Sequence, residues 1–236
     1  MPLRLLCLHG WGTNIKILQS QLSGLISNLS MDNTATFHLL EGDFDSDPGP
    51  GIEGIHDPPY YSYHTFPRPL SAPPSHCDDD EVLDAYDRLY EVLATEGPFD
   101  GLLGFSHGGT LAAGFLINHA KQYPGEEPPV RCAIFINSLP PFRMDSEGYC
   151  AKEGKVKGEI VLEDDLAGYI NIPTVSIAGA KDPLFEYSRA LYELCERGRS
   201  AWVVHSRGHD VPIDKKNVAG MAMAIRKLAV QVALNW

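Results

Sequence analysis

The sequence lacks the paired cysteines of a secreted, disulfide-bonded protein. Its five cysteines are odd in number, and no two of them have C-x-x-C spacing. Cys7 and Cys132 stand in apolar runs that are typical of strands, where we expect reduced and buried thiols. Because disulfides persist in oxidising compartments, this pattern favours a cytoplasmic location.

The chain also lacks a long hydrophobic run. No window of 18 residues is apolar throughout, so we expect no transmembrane helix. The apolar run at residues 3–8 is too short for a signal peptide, and no small-residue cleavage site follows it.

Positive charge is scarce as well. Lysines and arginines number 19 against 31 aspartates and glutamates, and the net charge is −12. A surface of this sign repels phosphate backbones, so we expect no nucleic-acid partner. No basic amphipathic stretch indicates binding to a membrane.

The chain does contain a regular alternation of apolar, strand-like runs and helical patterns. The predicted strands cover residues 3–8, 34–40, 99–104, 130–136, 173–178 and 201–205. The predicted helices cover residues 15–29, 78–93, 110–123, 185–195 and 215–234. Such an alternation builds a mostly parallel, twisted sheet with helices on both faces. The length of 236 residues suits one such α/β domain over residues 1–236.

Two stretches interrupt the alternation. Residues 41–77 hold twelve glycines and prolines, which make regular structure hard to build, and residues 138–166 are polar, with a short helix predicted near 163–169. We expect both stretches to be insertions over the active face, the first of them a lid-like one. Three tyrosines of the first insertion either line a substrate mouth or fix a surface loop: Tyr60, Tyr61 and Tyr63.

A serine between glycines marks the candidate nucleophile. Gly104-Phe105-Ser106-His107-Gly108 follows a buried strand and precedes a helix, which is the context of a nucleophile elbow. Side chains at positions 104 and 108 would collide with the strand and the helix, and glycine avoids that collision. The helix N-terminus beside Ser106 favours a developing negative charge.

A base and an orienting acid follow Ser106 in the order that α/β-hydrolases use. Asp182 comes after the strand at 173–178, and His209 comes after the strand at 201–205. Asp210 is a weaker candidate acid than Asp182, and His205 lies within a strand, where a packed histidine is expected. Asp164 and Asp165 precede a strand and so stand at the wrong end of the sheet.

Two backbone N–H groups are expected to form an oxyanion hole. One donor is the residue after the nucleophile, His107, and the other is Trp11 in the loop after the first strand. The histidines in the first insertion lack ligand spacing, and the acidic run at residues 78–81 suits a helix N-terminus. We therefore expect no metal and no cofactor.

Four segments together resemble the fungal family of serine hydrolases, the FSH group of α/β-hydrolases. They read LCLHGWGTN at residues 6–14, GPFDGLLGFSHGG at 97–109, IPTVSIAGAKDP at 172–183 and RGHDVP at 207–212. The resemblance implies an α/β-hydrolase fold, with Ser106 as nucleophile, Asp182 as orienting acid and His209 as base. Two residues differ from those common in the family. His107 stands where glutamine is common, and Trp11 stands where an aromatic residue such as tyrosine is common.

The resemblance further implies cleavage of an acyl thioester or ester. Members associated with secondary-metabolite clusters include thioesterases that release polyketide chains from a carrier protein, as well as esterases. An acyl carrier protein is therefore an expected partner besides the small-molecule substrate. The alternatives are a carboxylesterase for free small esters, a serine-dependent acyltransferase or cyclase, and a binding protein that has kept the fold without catalysis.

Overall fold

The structure is a computed structural model, and it describes residues 1–65, 77–141, 149–150, 155–156 and 169–234. The strands within this part are β1 (Leu3–Leu8), β2 (Ala35–Leu40), β3 (Phe44–Asp45), β4 (Tyr61–Ser62), β5 (Gly101–Phe105), β6 (Cys132–Ile136), β7 (Tyr149–Cys150), β8 (Lys155–Val156), β9 (Thr174–Gly179) and β10 (Ser200–His205). The helices are α1 (Ile15–Gln21), α2 (Ser23–Met31), α3 (Cys77–Thr95), α4 (His107–Gln122), α5 (Phe185–Leu194) and α6 (Lys215–Leu234).

Six strands form one sheet, in the order β10-β9-β6-β5-β1-β2. Every neighbouring pair in this sheet is parallel. All six strands therefore end at the same edge, which we call the carboxyl edge. In sheets of this kind, ligands bind at that edge.

Alternate side chains of the strands supply two cores. On one face, Leu6 and Leu102 pack with α3, α4 and α5. On the other face, Leu5 and Leu103 pack with α1, α2 and α6. The central strands β5 and β6 are buried along their whole length, as expected for a parallel sheet covered on both faces. The predicted α/β-hydrolase architecture is therefore confirmed.

One predicted helix is interrupted. Residues 15–29 were expected to form a single helix, but α1 and α2 meet in a bend at Leu22. The Leu22 N–H still donates to the Leu18 carbonyl, and the Ile26 N–H donates to the Leu22 carbonyl. Gly24 lies directly against Val218, so this bend brings α2 close to α6.

The first predicted insertion is described up to Thr65, and we call its described part, residues 41–65, the outer segment. Its strands β3 and β4 pair antiparallel, with Phe44 opposite Ser62. Residues 66–76 lie outside the described residues. Of the second insertion, residues 138–141 and the pair β7–β8 are described, and most of the short helix predicted at 163–169 lies outside the described residues.

The last helix, α6, is long and apolar enough to cross a membrane by length and composition alone, with a mean hydropathy of 1.2. Its buried side chains pack on the sheet and on α2. They are Val218, Met221, Ala222, Ala224, Ile225, Leu228 and Val232.

Candidate active site

Ser106 occupies the sharp turn between β5 and α4. Its φ of 52° and ψ of −120° lie in a region that residues with a side chain rarely adopt, at a cost of about 1–3 kcal/mol. The Ser106 N–H donates to the Ile136 carbonyl at 2.9 Å, and its own carbonyl accepts from the Gly109 and Thr110 N–H groups. These bonds hold the strained turn in place.

The glycines around Ser106 allow the strand, the turn and the helix to approach closely. A β-carbon on Gly104 would overlap the backbone of Gly109. A β-carbon on Gly108 would overlap the carbonyl oxygens of Leu8 and His9. The start of α4 therefore lies against the end of β1 as well as the end of β5.

Three side chains from the ends of three strands form one hydrogen-bonded chain. Ser106 Oγ lies 2.8 Å from His209 Nε2, and His209 Nδ1 lies 2.7 Å from Asp182 Oδ2. This is the arrangement of a serine nucleophile, its base and an orienting acid.

Asp182 is held by more than its histidine. Its side chain has no exposed surface, and its second oxygen, Oδ1, accepts the Leu184 N–H at 2.8 Å. Asp210, the rival acid, instead pairs with the exposed Arg207 guanidinium at 2.8 Å. His205 is buried within β10, and burial lowers its pKa.

Asn137 belongs to the same site, and the sequence reasoning missed it. It follows β6, is fully buried, and has a φ of 47°. Its Oδ1 accepts the Gly179 N–H at 2.9 Å, and its Nδ2 donates to the Asp210 carbonyl at 3.0 Å. Asn137 therefore joins the end of β9, which leads to Asp182, to the turn that carries His209. A polar residue directly after a buried strand was the available signal.

The loop after β1, residues 10–14, lies beside the nucleophile, and we call it the oxyanion loop. A β-carbon on Gly10 would lie 3.6 Å from the Ser106 β-carbon. Trp11 is the next residue of this loop, and His107 is the first residue of α4. The two expected oxyanion donors thus come from the two segments that flank Ser106.

The histidine before the oxyanion loop is buried and neutral. His9 Nε2 accepts the Gly42 N–H at 3.0 Å, so the proton resides on Nδ1, which donates to the Gly10 carbonyl at 2.8 Å. Burial lowers the pKa of His9 to about 4, although Glu41 approaches Nε2 at 3.4 Å. The neutral form is the consistent one, since Nε2 is already an acceptor.

His107 and the three tyrosines occupy different environments. The His107 ring is buried, with ring centroids 4.6 Å from His64 and 6.2 Å from Tyr63, and burial lowers its pKa well below the usual value. Tyr63 is also buried, whereas Tyr60 and Tyr61 are partly exposed. The Tyr60 hydroxyl donates to the His56 carbonyl within the outer segment.

Among the described residues, no three His, Cys, Asp or Glu side chains come together as a possible metal site. The buried thiols of Cys7, Cys132 and Cys195 have raised pKa values because burial disfavours the thiolate. A hydroxyl that is hydrogen-bonded to a histidine, as Ser106 is to His209, can transfer an acyl group through a covalent serine ester.

Comparison with known proteins gives sequence relatives along the whole chain. The profile of the serine hydrolase (FSH1) family matches residues 1–221. The hydrolase phiM of Talaromyces stipitatus is 39% identical over 242 residues, which cover 100% of this chain and 91% of that protein. The esterase FPY3 of Fusarium mangiferae is 36% identical over 239 residues, which cover 99% of this chain and 100% of that protein.

Solved structures share the fold. A carboxylesterase from Mesorhizobium loti superposes with a TM-score of 0.56 at 19% identity, covering 94% of this chain and 87% of that one. Arabidopsis thaliana SOBER1 superposes with a TM-score of 0.57 at 17% identity, and the match covers 97% of this chain and 99% of that one. The solved structures show the fold, and the family match and the relatives show the family. The chain belongs to the serine hydrolase (FSH1) family and is an enzyme that hydrolyses ester bonds.

Proposed function

We propose that the enzyme cleaves acyl thioesters or esters with Ser106 as nucleophile, His209 as base and Asp182 as orienting acid. The observation that carries this proposal is the continuous chain of hydrogen bonds at 2.8 Å and 2.7 Å between these side chains. The strained turn at Ser106 supports it, because backbone strain of this kind is concentrated at functional sites.

The reaction proceeds in two acyl-transfer steps. His209 Nε2 takes the Ser106 proton while Oγ attacks the acyl carbonyl carbon, and the bond to the leaving group breaks as the tetrahedral intermediate collapses. The leaving group takes the proton from His209 and departs as the thiol or alcohol, which returns His209 to its neutral form. A water molecule then attacks the acyl-serine while His209 removes its proton, and His209 gives that proton to Ser106 Oγ as the acid product leaves.

Two backbone N–H groups, of Trp11 and His107, stabilise the negative oxygen of each tetrahedral intermediate. Their segments lie on either side of Ser106. Loss of one such donor costs about 10²–10³ in rate. Asp182 carries its negative charge in a fully buried side chain and stabilises the imidazolium that forms on His209.

We further propose that the acyl group is a polyketide-type chain delivered as a thioester. The sequence segments that resemble cluster-associated fungal serine hydrolases support this choice. A free small ester is the alternative, and the relative named esterase FPY3 agrees with it. Tyr60 and Tyr61, which are partly exposed, are the proposed contacts for the acyl chain.

The distribution of charge supports an acidic carrier as the bearer of the thioester. The outer segment, beside one edge strand, contains six acidic residues and no lysine or arginine. Residues 197–236 include the opposite edge strand, β10, and the helix α6, and they contain seven basic and two acidic residues. Of the basic residues, Arg207 pairs with Asp210, and Arg226 on α6 pairs with Asp32 at the end of α2. Four exposed basic residues follow β9 and β10 at the carboxyl edge, and we call them the basic rim: Lys181, Arg207, Lys215 and Lys216.

The first test is covalent labelling of Ser106. A fluorophosphonate is expected to add once to the wild-type protein and not to Ser106→Ala, as measured by intact mass. Hydrolysis of an N-acetylcysteamine thioester and of a p-nitrophenyl ester is expected to fall by at least about 10⁴-fold in the variant.

Two outcomes would contradict this assignment. Turnover by Ser106→Ala at the wild-type rate would exclude Ser106 as nucleophile. Absence of any adduct on the folded wild-type protein would favour a binding protein without catalysis. Product analysis with an added alcohol or amine acceptor distinguishes hydrolysis from acyl transfer or cyclisation.

A further inference from the structure

The backbone of the oxyanion loop is hydrogen-bonded to the outer segment. The Gly12 N–H donates to the Tyr61 carbonyl at 3.1 Å, and the Tyr61 N–H donates to the Thr13 carbonyl at 2.7 Å. The Gly49 N–H donates to the Gly12 carbonyl at 3.0 Å. The backbone directly after Trp11 is therefore bonded to the outer segment.

This contact leaves no space for the oxyanion loop to shift outward. Gly12 has a φ of 62°, and a β-carbon there would overlap the Gly49 backbone nitrogen. A β-carbon on Gly49 would overlap the Trp11 carbonyl oxygen. Each glycine thus permits a direct backbone contact between the two segments.

Side chains add a second set of ties at the start of the loop. The Tyr63 hydroxyl accepts the His9 N–H at 2.7 Å and donates to the Leu40 carbonyl at 2.9 Å. One hydroxyl therefore joins the ends of β1 and β2, the two strands from which the oxyanion loop and the outer segment begin. At the other end of the loop, Asn14 Nδ2 donates to the Pro59 carbonyl at 2.7 Å.

The Tyr63 ring also lies between the two proposed donor segments. Its centroid is 4.7 Å from the His9 ring, which precedes the oxyanion loop, and 6.2 Å from the His107 ring, at the start of α4. All three side chains are buried. A displacement of Tyr63 would therefore be transmitted to both sides of the oxyanion hole.

We propose that Tyr63 is a positioning residue that acts through His9 to hold the oxyanion loop, so that the outer segment is a fixed wall of the oxyanion hole. This inference rests on the proposed role of the Trp11 and His107 N–H groups. In this role, Tyr63 acts on the position of the donors and not on the reacting atoms. Its hydroxyl sets the position of the donors, which must meet the negative oxygen at about 2.7–3.1 Å.

The test replaces Tyr63 by phenylalanine, which keeps the ring and removes the hydroxyl. We expect kcat on a p-nitrophenyl ester to fall about 10- to 100-fold and KM to stay within about threefold, because a misplaced donor weakens the transition state rather than substrate binding. The inhibition constant of an alkylboronic acid, whose serine adduct resembles the tetrahedral intermediate, is expected to rise by the same factor.

Tyr90→Phe is the matched control. The Tyr90 hydroxyl also hydrogen-bonds, to His119 Nδ1 at 2.7 Å, but His119 lies near the far end of α4 from Ser106. This variant removes a tyrosine hydroxyl of the same kind, and kcat and boronate affinity are expected to stay at wild-type values.

Asn14→Asp serves if Tyr63→Phe does not fold. The carboxylate keeps the acceptor that caps α1 through the Ile17 N–H at 2.9 Å, but it cannot donate to the Pro59 carbonyl. The variant therefore removes the contact between the outer segment and the far end of the oxyanion loop. We expect the same loss of kcat and of boronate affinity as for Tyr63→Phe.

The outcomes separate this inference from the assignment of the nucleophile. If wild-type protein is labelled at Ser106 and folded Tyr63→Phe keeps its kcat and boronate affinity within about twofold, the positioning role is wrong while the catalytic serine stands. A rise in KM with unchanged kcat would instead indicate a substrate-contacting lid. If wild-type protein is neither labelled nor active, the proposed function itself fails.

Discussion

Three buried histidines are neutral in the folded protein. Burial is the main cause that lowers the pKa values of His9, His107 and His205. In His9, both ring nitrogens are engaged with backbone groups, Nε2 with the Gly42 N–H and Nδ1 with the Gly10 carbonyl. A proton on Nε2 would replace an accepting lone pair by a second donor and would break the bond from Gly42.

The protein is therefore expected to lose stability in mild acid. Unfolded His9 binds a proton below its ordinary pKa of 6.5, whereas folded His9 does so only near pH 4. The unfolded state thus binds more protons between these values, and His9 alone removes about 3 kcal/mol from the free energy of unfolding as the pH falls from 6.5 to 4.

Urea denaturation at a series of pH values measures this effect. His9→Gln is the comparison variant, because it removes the titrating ring. The difference in unfolding free energy between wild type and variant should narrow as the pH falls through this window. A difference that stays constant from pH 6.5 to 4 would contradict the neutral, buried state of His9.

At the scale of single residues, the sequence predicted the candidate catalytic side chains but not the side chains that hold them in position. The proximity of Ser106, Asp182 and His209 could be predicted because residues that follow the strands of a parallel sheet meet at its carboxyl edge. The supporting role of Asn137 could not, since its two bonds join segments 42 and 73 residues away along the chain. The surroundings of Tyr63 were hidden for the same reason: its hydroxyl links His9 and Leu40 across distant parts of the chain.

Among the elements, the turn from β5 to α4 has the strictest steric requirement. Gly104→Ala would place a β-carbon on the backbone of Gly109, which cannot move without shifting α4. We expect this variant to lose at least about 2 kcal/mol of unfolding free energy, or to fail to fold. Urea denaturation of the purified variant, or its yield as soluble protein, measures this cost.

Gly220→Ala is the matched control for that substitution. Gly220 lies in α6, and no atom outside the neighbouring backbone of that helix lies within 4 Å of the added β-carbon. Because alanine favours a helix over glycine, this variant is expected to gain about 0.5–1 kcal/mol. Equal effects of the two substitutions would contradict the close packing at Gly104.

The strands and most helices could be predicted from the spacing of apolar residues. This is because each strand or helix buries a side or a stripe of its surface in the core. The exception at Leu22 shows the limit of that reasoning. Leu18, Leu22, Leu25 and Leu29 are all buried, so the apolar spacing is that of one helix. The bend between α1 and α2 accompanies the contact of Gly24 with Val218, on an element nearly 200 residues later, and no local pattern encodes it.

For the molecule as a whole, the notable property is the separation of its charges. The net charge of −12 suggests repulsion of an acidic carrier, but the sheet order places the acidic outer segment and the basic rim on opposite sides. Long-range attraction depends on where charge lies as well as on its sum. A negative partner can therefore approach from the β10 side.

The double variant Lys215→Glu, Lys216→Glu tests this approach. With an acyl thioester carried on an acyl carrier protein, we expect KM to rise at least about tenfold at low salt, and the difference from wild type to shrink at high salt. With the N-acetylcysteamine thioester, kcat and KM should be unchanged, because both lysines are exposed and outside the triad.

Lys227→Glu provides the control on the same helix. It lies 12 residues after Lys215, about 18 Å further along α6 and away from the carboxyl edge. Equal KM values for the carrier substrate in wild type and in the double variant would remove the support that charge gives to a carrier, and the free ester would become the favoured substrate.

The way in which the outer segment is fastened has a consequence for how such enzymes diversify. Gly49 and Pro59 both bond to the oxyanion loop, whereas residues 50–58 between them are mostly exposed. Since lengthening a surface loop costs little once its ends are fixed, this stretch can be exchanged or extended as a module without disturbing the nearby backbone donors. Selection for a new substrate can thus act on one part of the segment while another part preserves the catalytic geometry.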